Sequence, residues 1–155
     1  MTAVRRLNHA VLYVRNAGRS AAFYKEAFEF EIVTEAGNGF AVFMRSSIAD
    51  NHHDLGLFTV GDDAPGPQRG RAGLYHLAWE VDTIQDLAAM RERLMKLGAL
   101  VGGSDHGVSK SLYGHDPDGI EFEVMWTVPA EAWGDYATDA VVQPLDLDAE
   151  LARWG

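Results

Sequence analysis

Two histidines and one glutamate stand at strand positions where a metal site could form. His9 opens one apolar strand, and His76 opens another 67 residues later. Glu123 lies in a third strand, within residues 120–124. Two His and one carboxylate from three strands form a facial triad, which holds a divalent metal, most often non-haem Fe(II), and leaves coordination positions open. The residue types therefore predict a metal site at His9, His76 and Glu123 that could take a substrate and oxygen.

The composition excludes several other kinds of site. The chain has 155 residues and no cysteine, so any metal must bind His and carboxylate ligands. A formal net charge of −10 disfavours nucleic acid as a partner, because phosphate contacts need Lys and Arg. No apolar run is long enough to span a membrane, and the N-terminus lacks the apolar core of a signal peptide. We therefore expect a cytoplasmic protein with neither a nucleic-acid nor a membrane partner.

An internal repeat organises the chain. An offset of 67 residues aligns two sets of three: Leu7, His9 and Val14 with Leu74, His76 and Val81. Each opening strand is followed by a helical pattern, at about 18–28 and 84–97. The strand candidates that follow are 30–34, 40–45 and 54–60 in the first half and 100–101, 110–115 and 120–126 in the second. Each half therefore predicts a βαβββ module, over about residues 5–60 and 74–127.

The segments outside the repeat predict a linker and an extension. Residues 61–73 hold two Pro and four Gly, which is typical of a linker. After residue 126, short helices are predicted at 129–133 and 147–154. We predict an α+β fold in which the two modules form an open, cup-like mixed β-sheet with helices outside. A single domain would cover residues 1–127, followed by a C-terminal helical extension over 128–155.

Strand alternation predicts which side chains of the last strand face the concave side of the sheet. Glu121, Glu123 and Met125 share one face, and the apolar Phe122 and Val124 share the other. The apolar face would pack on the helices. Glu123 would then point to the concave side, beside a cavity.

The paired modules, with a His at the first strand of each, resemble the vicinal oxygen chelate superfamily over roughly residues 5–127. That superfamily includes extradiol ring-cleaving dioxygenases, glyoxalase I, fosfomycin-resistance proteins and bleomycin-binding proteins. The resemblance implies that His9, His76 and Glu123 bind Fe(II), with Mn(II) or another divalent metal as the next choice.

Residues 105–123 narrow the resemblance, because they are similar to the signature of type I extradiol dioxygenases. In that signature a His precedes a hydrophobic-Tyr pair, an Asp-Pro turn with Gly, and the ligand Glu. The matching residues here are His106, Leu112-Tyr113, Asp116-Pro117, Gly119 and Glu123. Ser104 departs from the pattern, since another small or branched residue is usual two positions before the His. Residues 51–57, with His53, are similar to the strand start where these enzymes keep an acid–base histidine.

The resemblance implies that a catechol-like aromatic diol and O2 are the substrates of an extradiol dioxygenase. His53 would stabilise developing negative charge and donate a proton. His106 and Tyr113 would hydrogen-bond the substrate oxygens and assist proton movement. For His52 and His115 we expect ordinary surface positions. Many relatives carry two double modules and this chain carries one, so we expect a homo-oligomer, with the tail or a second subunit completing the substrate envelope.

Two alternatives stay open. A different metal-dependent member, either a glyoxalase-like lyase or an antibiotic-modifying transferase, would share the triad but have no need of His53, His106 and Tyr113. Glyoxalase I has a second carboxylate at the position that the repeat assigns to Gly56, and glycine cannot ligate, which disfavours that member. A non-catalytic module similar to the bleomycin-binding proteins would hold a flat molecule without metal.

Overall fold

The computed structural model describes residues 2–155, and within them it contains nine β-strands and three α-helices. The chain divides into two compact units, Met1–Pro67 and Gln68–Gly155. The boundary lies inside the Pro- and Gly-rich segment 61–73. Within residues 2–155, no helix combines the length and the apolar character needed to cross a bilayer. The division into one domain over 1–127 and an extension over 128–155 stays a prediction.

The first unit is a βαβββ module. Its elements are β1 (Ala10–Val14), α1 (Ala17–Phe28), β2 (Phe30–Ala36), β3 (Ala41–Ser46) and β4 (Leu55–Thr59). The sheet order is β1-β4-β3-β2, with β1 parallel to β4 and the other pairs antiparallel. The Asn16 side chain accepts a hydrogen bond from the Arg19 N–H and so begins α1. The helix packs Ala21 and Tyr24, both buried, towards the sheet.

The second unit repeats this module. Its elements are β5 (His76–Glu80), α2 (Ile84–Lys96), β6 (Leu100–Asp105), β7 (Ser109–His115) and β8 (Glu121–Thr127). A capping box between Thr83 and Asp86 begins α2. The helix buries Leu87, Met90 and Leu94, which recur at helical spacing.

The two modules share the same parallel strand register. Ala10 of β1 lies opposite Leu55 of β4, and Leu77 of β5 lies opposite Phe122 of β8. The offset of 67 residues relates both pairs, as it relates the sequences. The prediction of an α+β protein built from two βαβββ modules with open mixed sheets is therefore confirmed.

The C-terminal residues add a strand and a helix to the second unit. Two short 3-10 turns, Ala130–Ala132 and Gly134–Ala137, precede β9 (Gln143–Pro144) and α3 (Leu147–Trp154). β9 pairs with the edge of β6, so the second sheet has five strands in the order β5-β8-β7-β6-β9. Helix α3 agrees with the helix predicted at 147–154, whereas β9 was not predicted.

The strand β6 is longer than its sequence indicates. The prediction covered only residues 100–101, because Gly102 and Gly103 have low strand propensity. Close packing requires glycine at one of these positions: a Cβ at Gly103 would lie 3.0 Å from the Ser111 carbonyl oxygen on β7. The strand continues to Asp105. His106 follows Asp105 directly and so lies at the end of the sheet.

Candidate active site

The parallel pair of β5 and β8 brings His76 next to Glu123. His76 lies opposite Glu121 and Ala78 opposite Glu123, and alternate residues of a strand share a face. The Nε2 atom of His76 is 3.0 Å from Oε2 of Glu123. An imidazole nitrogen and a carboxylate oxygen thus meet at one point, and both are donor types that divalent Fe and Mn accept.

A second carboxylate lies on the other side of the His76 ring. Oε1 of Glu121 is 3.5 Å from Nδ1 of His76, a buried atom that has no hydrogen-bond partner among residues 2–155. The same carboxylate is 3.6 Å from Nη2 of Arg69 and 3.7 Å from Nε2 of His115. A carboxylate at the far nitrogen of a ligating His fixes its tautomer and ring orientation. Glu121 was not predicted to have a role, although its alternation with Glu123 in the sequence was a usable signal.

Tyr113 connects His106 to Glu123. The Tyr113 hydroxyl oxygen is 2.8 Å from Nε2 of His106 and 3.4 Å from Oε1 of Glu123, and it can donate its one proton to either atom. Tyr113 lies directly opposite Glu123 in the antiparallel pair of β7 and β8, which explains their contact. The four predicted residues of this unit, including His76, therefore form one continuous polar series.

The surroundings of Tyr113 keep its hydroxyl protonated. Burial of the phenol, together with the nearby charge of Glu123, raises the pKa of Tyr113 above its ordinary value of 10.0. The side chain therefore acts as a hydrogen-bond donor at neutral pH. Its single proton can go to His106, to Glu123 or, in place of both, to a substrate oxygen.

A pocket of about 520 Å³ adjoins this polar series. Its polar lining includes His76, His106, Tyr113 and Glu121, all from the second unit. Its apolar lining includes Tyr75, Val101 and Val142. The volume is in the range of small-molecule sites, and the combination of an apolar wall with a few convergent polar groups is typical of them.

In the first unit, His9 lies against His53. Their ring centroids are 4.4 Å apart, and Nδ1 of His9 is 2.9 Å from Oδ1 of Asn8. Partial burial and the neighbouring His9 and His52 lower the pKa of His53 below 6.5. His53 is therefore mostly neutral at pH 7, and a neutral imidazole can accept a proton.

Asn51 holds the loop that carries His53. Its amide nitrogen donates hydrogen bonds to the carbonyl oxygens of Asn8 and His53, both at 2.7 Å. The same amide is 3.1 Å from Oδ1 of Asp54. One side chain thus ties the loop before β4 to the segment before β1. Asn51 was not predicted to have a role, and its signal in the sequence was its place just before His52 and His53.

Comparisons with known proteins identify the family of the chain. Residues 6–124 match the family model described as the Glyoxalase/Bleomycin resistance protein/Dioxygenase superfamily. The chain belongs to this superfamily. It is 29% identical over 128 residues to a catechol-2,3-dioxygenase of Bacillus subtilis (strain 168), with 82% of this chain and 43% of that protein aligned. It is 29% identical over 136 residues to a biphenyl-2,3-diol 1,2-dioxygenase 2 of Rhodococcus globerulus, with 85% and 70% aligned. The chain therefore spans less than half the length of the Bacillus protein.

Solved structures of the superfamily share the fold. A glyoxylase/bleomycin resistance protein/dioxygenase domain from Frankia sp. EAN1pec aligns with a TM-score of 0.68 at 23% identity, over 81% of this chain and 100% of that one. The fosfomycin resistance protein FosX from Listeria monocytogenes, solved with Mn(II) and sulfate, aligns with a TM-score of 0.64 at 18% identity, over 86% and 99%. That relative was thus solved with a divalent metal.

Gly56 occupies the position in the first module that corresponds to Glu123 in the second. It lies opposite Val11 on β1 and Phe43 on β3. A Cβ at this glycine would already lie 3.4 Å from both side chains. The first module therefore offers no carboxylate at the point where the repeat would place one.

The structure groups the predicted site residues by unit. His76, His106, Tyr113 and Glu123 come together in the second unit, and His9 and His53 come together in the first. Taken by itself, neither unit contains, within residues 2–155, three His, Asp or Glu side chains grouped so that they could hold a metal. The metal-binding triad of His9, His76 and Glu123 stays a prediction. Two of its predicted ligands, His76 and Glu123, come from the second unit, and His9 comes from the first.

Proposed function

We propose that the protein is an extradiol dioxygenase that opens the ring of a catechol-like aromatic diol with O2. The observation that carries this proposal is the polar series His76, Glu123, Tyr113 and His106 beside a pocket with an apolar wall. The two dioxygenases that the chain is similar to act, by their names, on catechol and on biphenyl-2,3-diol. The proposed assembly is a homo-oligomer.

The residues fit a divalent metal, with Fe(II) as the first choice and Mn(II) as the second. Glu123 exposes only 8% of its surface, and among residues 2–155 no Lys or Arg forms an ion pair with it. A buried carboxylate needs a compensating positive charge, and a metal at Oε2 would supply it. We propose His9 as the third protein ligand.

The bound metal would supply chelation of both diol oxygens and activation of O2. The chain's own residues hold and move protons. Tyr113 donates a hydrogen bond to a substrate oxygen, since its raised pKa keeps the phenol protonated. His53 is mostly neutral, so its ring accepts the proton of a diol hydroxyl and later returns it to the product. The apolar wall of the pocket would contact the aromatic ring.

Reconstitution with Fe(II) without oxygen, followed by air and a panel of catechols, tests the proposal through the yellow absorbance of ring-cleaved products. We expect colour in the wild type and in Glu92→Gln, an exposed control on α2, and none in Glu123→Gln or His76→Ala. Full turnover after combined substitution of His53, His106 and Tyr113 would favour a metal-dependent lyase or transferase. Tight binding of a flat molecule by protein that takes up no metal would favour a non-catalytic binding module.

A further inference from the structure

We infer that the C-terminal extension, residues 128–155, completes the pocket of its own unit: the Val141 carbonyl orients His106, and Val142 forms part of the substrate wall. The extension lies beyond residue 124, where the match to the superfamily model ends. The catalytic consequence of this inference rests on the proposed function, whereas the orientation of His106 can be measured without it.

The middle of the extension is fastened beside His106. β9 continues the sheet at β6, where Gln143 pairs with Asp105 and Pro144 with Ser104. The Tyr136 ring packs closely on the turn that follows His106. A Cβ at Gly107 would lie only 2.4 Å from Cγ of this ring. With a φ of 75° as well, Gly107 is a position that only glycine fits.

The end of the extension is anchored to the same sheet. Lys110 on β7, with 5% of its side chain exposed, forms ion pairs with Asp105 and with Glu150 on α3. The Trp154 ring packs against Trp126 at a centroid distance of 5.8 Å with the ring planes tilted by 58°, and its indole N–H donates to Glu150 at 2.9 Å. The chain between Tyr136 and β9 is therefore held at both ends, which places Val141 and Val142 at the pocket.

The Val141 carbonyl fixes the protonation pattern of the His106 ring. Nδ1 of His106 is 2.9 Å from the Val141 oxygen. A carbonyl oxygen only accepts, so the proton of a neutral ring is held on Nδ1 and the lone pair is left on Nε2. Nε2 lies 2.8 Å from the Tyr113 hydroxyl, where it can accept a proton. The Val141 carbonyl is thus a positioning group that acts through His106.

Val142 gives the pocket one of its apolar side chains. It lines the pocket with Val101 and Tyr75, yet these three side chains stay 76%, 60% and 69% exposed. Exposed apolar side chains that face one pocket gain free energy when an apolar ligand covers them. An aromatic ring is a ligand of this chemistry, so Val142 is expected to affect substrate binding more than turnover.

Two single-glycine insertions into the full-length chain test the orientation of His106. A glycine inserted between Val141 and Val142 displaces the carbonyl while β9 can keep its pairing. A glycine inserted between Gly70 and Arg71, two exposed residues of the segment 61–73, adds the same residue outside the extension and serves as the matched control. The readout is the His106 tautomer, followed by ¹⁵N NMR of the ring nitrogens and assigned with His106→Asn.

We expect one Nδ1–H tautomer in the wild type and the control, and a mixture in the Val141–Val142 insertion. In the Fe(II)-loaded enzyme, kcat should fall by about tenfold to a hundredfold in that insertion and stay unchanged in the control, because small misplacements of an acid–base group are costly. Equal tautomer populations in all three proteins would overturn the inference. If no diol is cleaved, the proposed function fails, but the NMR comparison still decides the orientation.

Substitution at Val142 tests whether this side chain forms part of the apolar wall of the pocket. We expect Val142→Ala to raise the KM for a catechol several-fold with kcat unchanged, and to weaken catechol binding measured by calorimetry by the same factor. Val60→Ala, which truncates an exposed valine of the first unit, is the control. Unchanged KM and unchanged catechol binding in Val142→Ala would overturn the assignment of this side chain to the pocket.

Discussion

Single side chains set the properties of the His76 ring, which lies between two carboxylates. Nε2 is 3.0 Å from Glu123 and Nδ1 is 3.5 Å from Glu121. The two glutamates are two residues apart on β8, so the pleat alone places them on the same face. Glu123 was predicted as a ligand, and the position of Glu121 suggests that it orients the ring.

Substitution of Glu121 should therefore weaken metal binding without removing a ligand. We expect Glu121→Ala to raise the Kd for Mn(II) by about tenfold, as is usual when the outer partner of a ligating His is lost. Glu121→Gln should raise the Kd less, because its amide oxygen can still face Nδ1 of His76 as an acceptor. Anaerobic calorimetric titration measures both values. An unchanged Kd in Glu121→Ala would show that His76 needs no such partner.

Tyr113 is expected to matter for turnover through its hydroxyl. Tyr113→Phe keeps the ring but removes the donor that contacts Glu123 and His106, so we expect kcat to fall by about a hundredfold. Tyr13→Phe, an exposed position on β1, is the matched control and should leave kcat unchanged. Steady-state kinetics on a catechol decides the matter. Full activity in Tyr113→Phe would point to a superfamily reaction that does not use this proton donor.

At the scale of elements, local patterns predicted the helices well and the second sheet incompletely. The spacing of Leu87, Met90 and Leu94 predicted α2 to within one residue, because burial of one face leaves a periodic trace. Strand β9 has two residues, one of them proline, and leaves no alternation to detect. The hydrogen bond from His106 to Val141 joins residues 35 apart, and no local pattern encodes such a contact.

The ion pairs of Lys110 should couple β6, β7 and α3. Lys110→Met leaves Asp105 without its main partner, and we expect the free energy of unfolding to fall by about 2 kcal/mol. Burial of the carboxyl by itself would raise the pKa of Asp105, but hydrogen bonds from Lys110 and from the Gly107 N–H outweigh it and hold the pKa below 3.8. The stabilisation is therefore complete above about pH 4 and is lost as the pH falls through the lowered pKa.

Urea unfolding at several pH values measures this coupling. The stability difference between the wild type and Asp105→Asn should be largest above pH 4 and should shrink in more acidic solution. The stability difference between the wild type and Lys110→Met should shrink in the same way as the pH falls. A difference that stays constant from neutral to strongly acidic pH would mean that the Asp105 charge does not contribute to stability.

At the scale of the whole molecule, duplication explains why two histidines occupy matching positions. The shared register places His9 immediately before β1, one position ahead of Ala10, and His76 correspondingly ahead of Leu77. The repeat was visible in the sequence and predicted both modules. The grouping of Tyr113, His106 and Glu123 followed from resemblance to a family signature, whereas Asn51, Glu121 and the extension needed the structure.

The most direct test of the central claim is a stepwise anaerobic titration with Fe(II), in which each point is exposed to air and the rate of catechol ring cleavage is recorded. We expect the rate to rise in proportion to added iron and to saturate at one Fe(II) per chain. His9→Ala, His76→Ala and Glu123→Ala should each abolish both tight binding and cleavage. Saturable iron binding without cleavage of any diol, or wild-type behaviour in any of these three variants, would contradict the account.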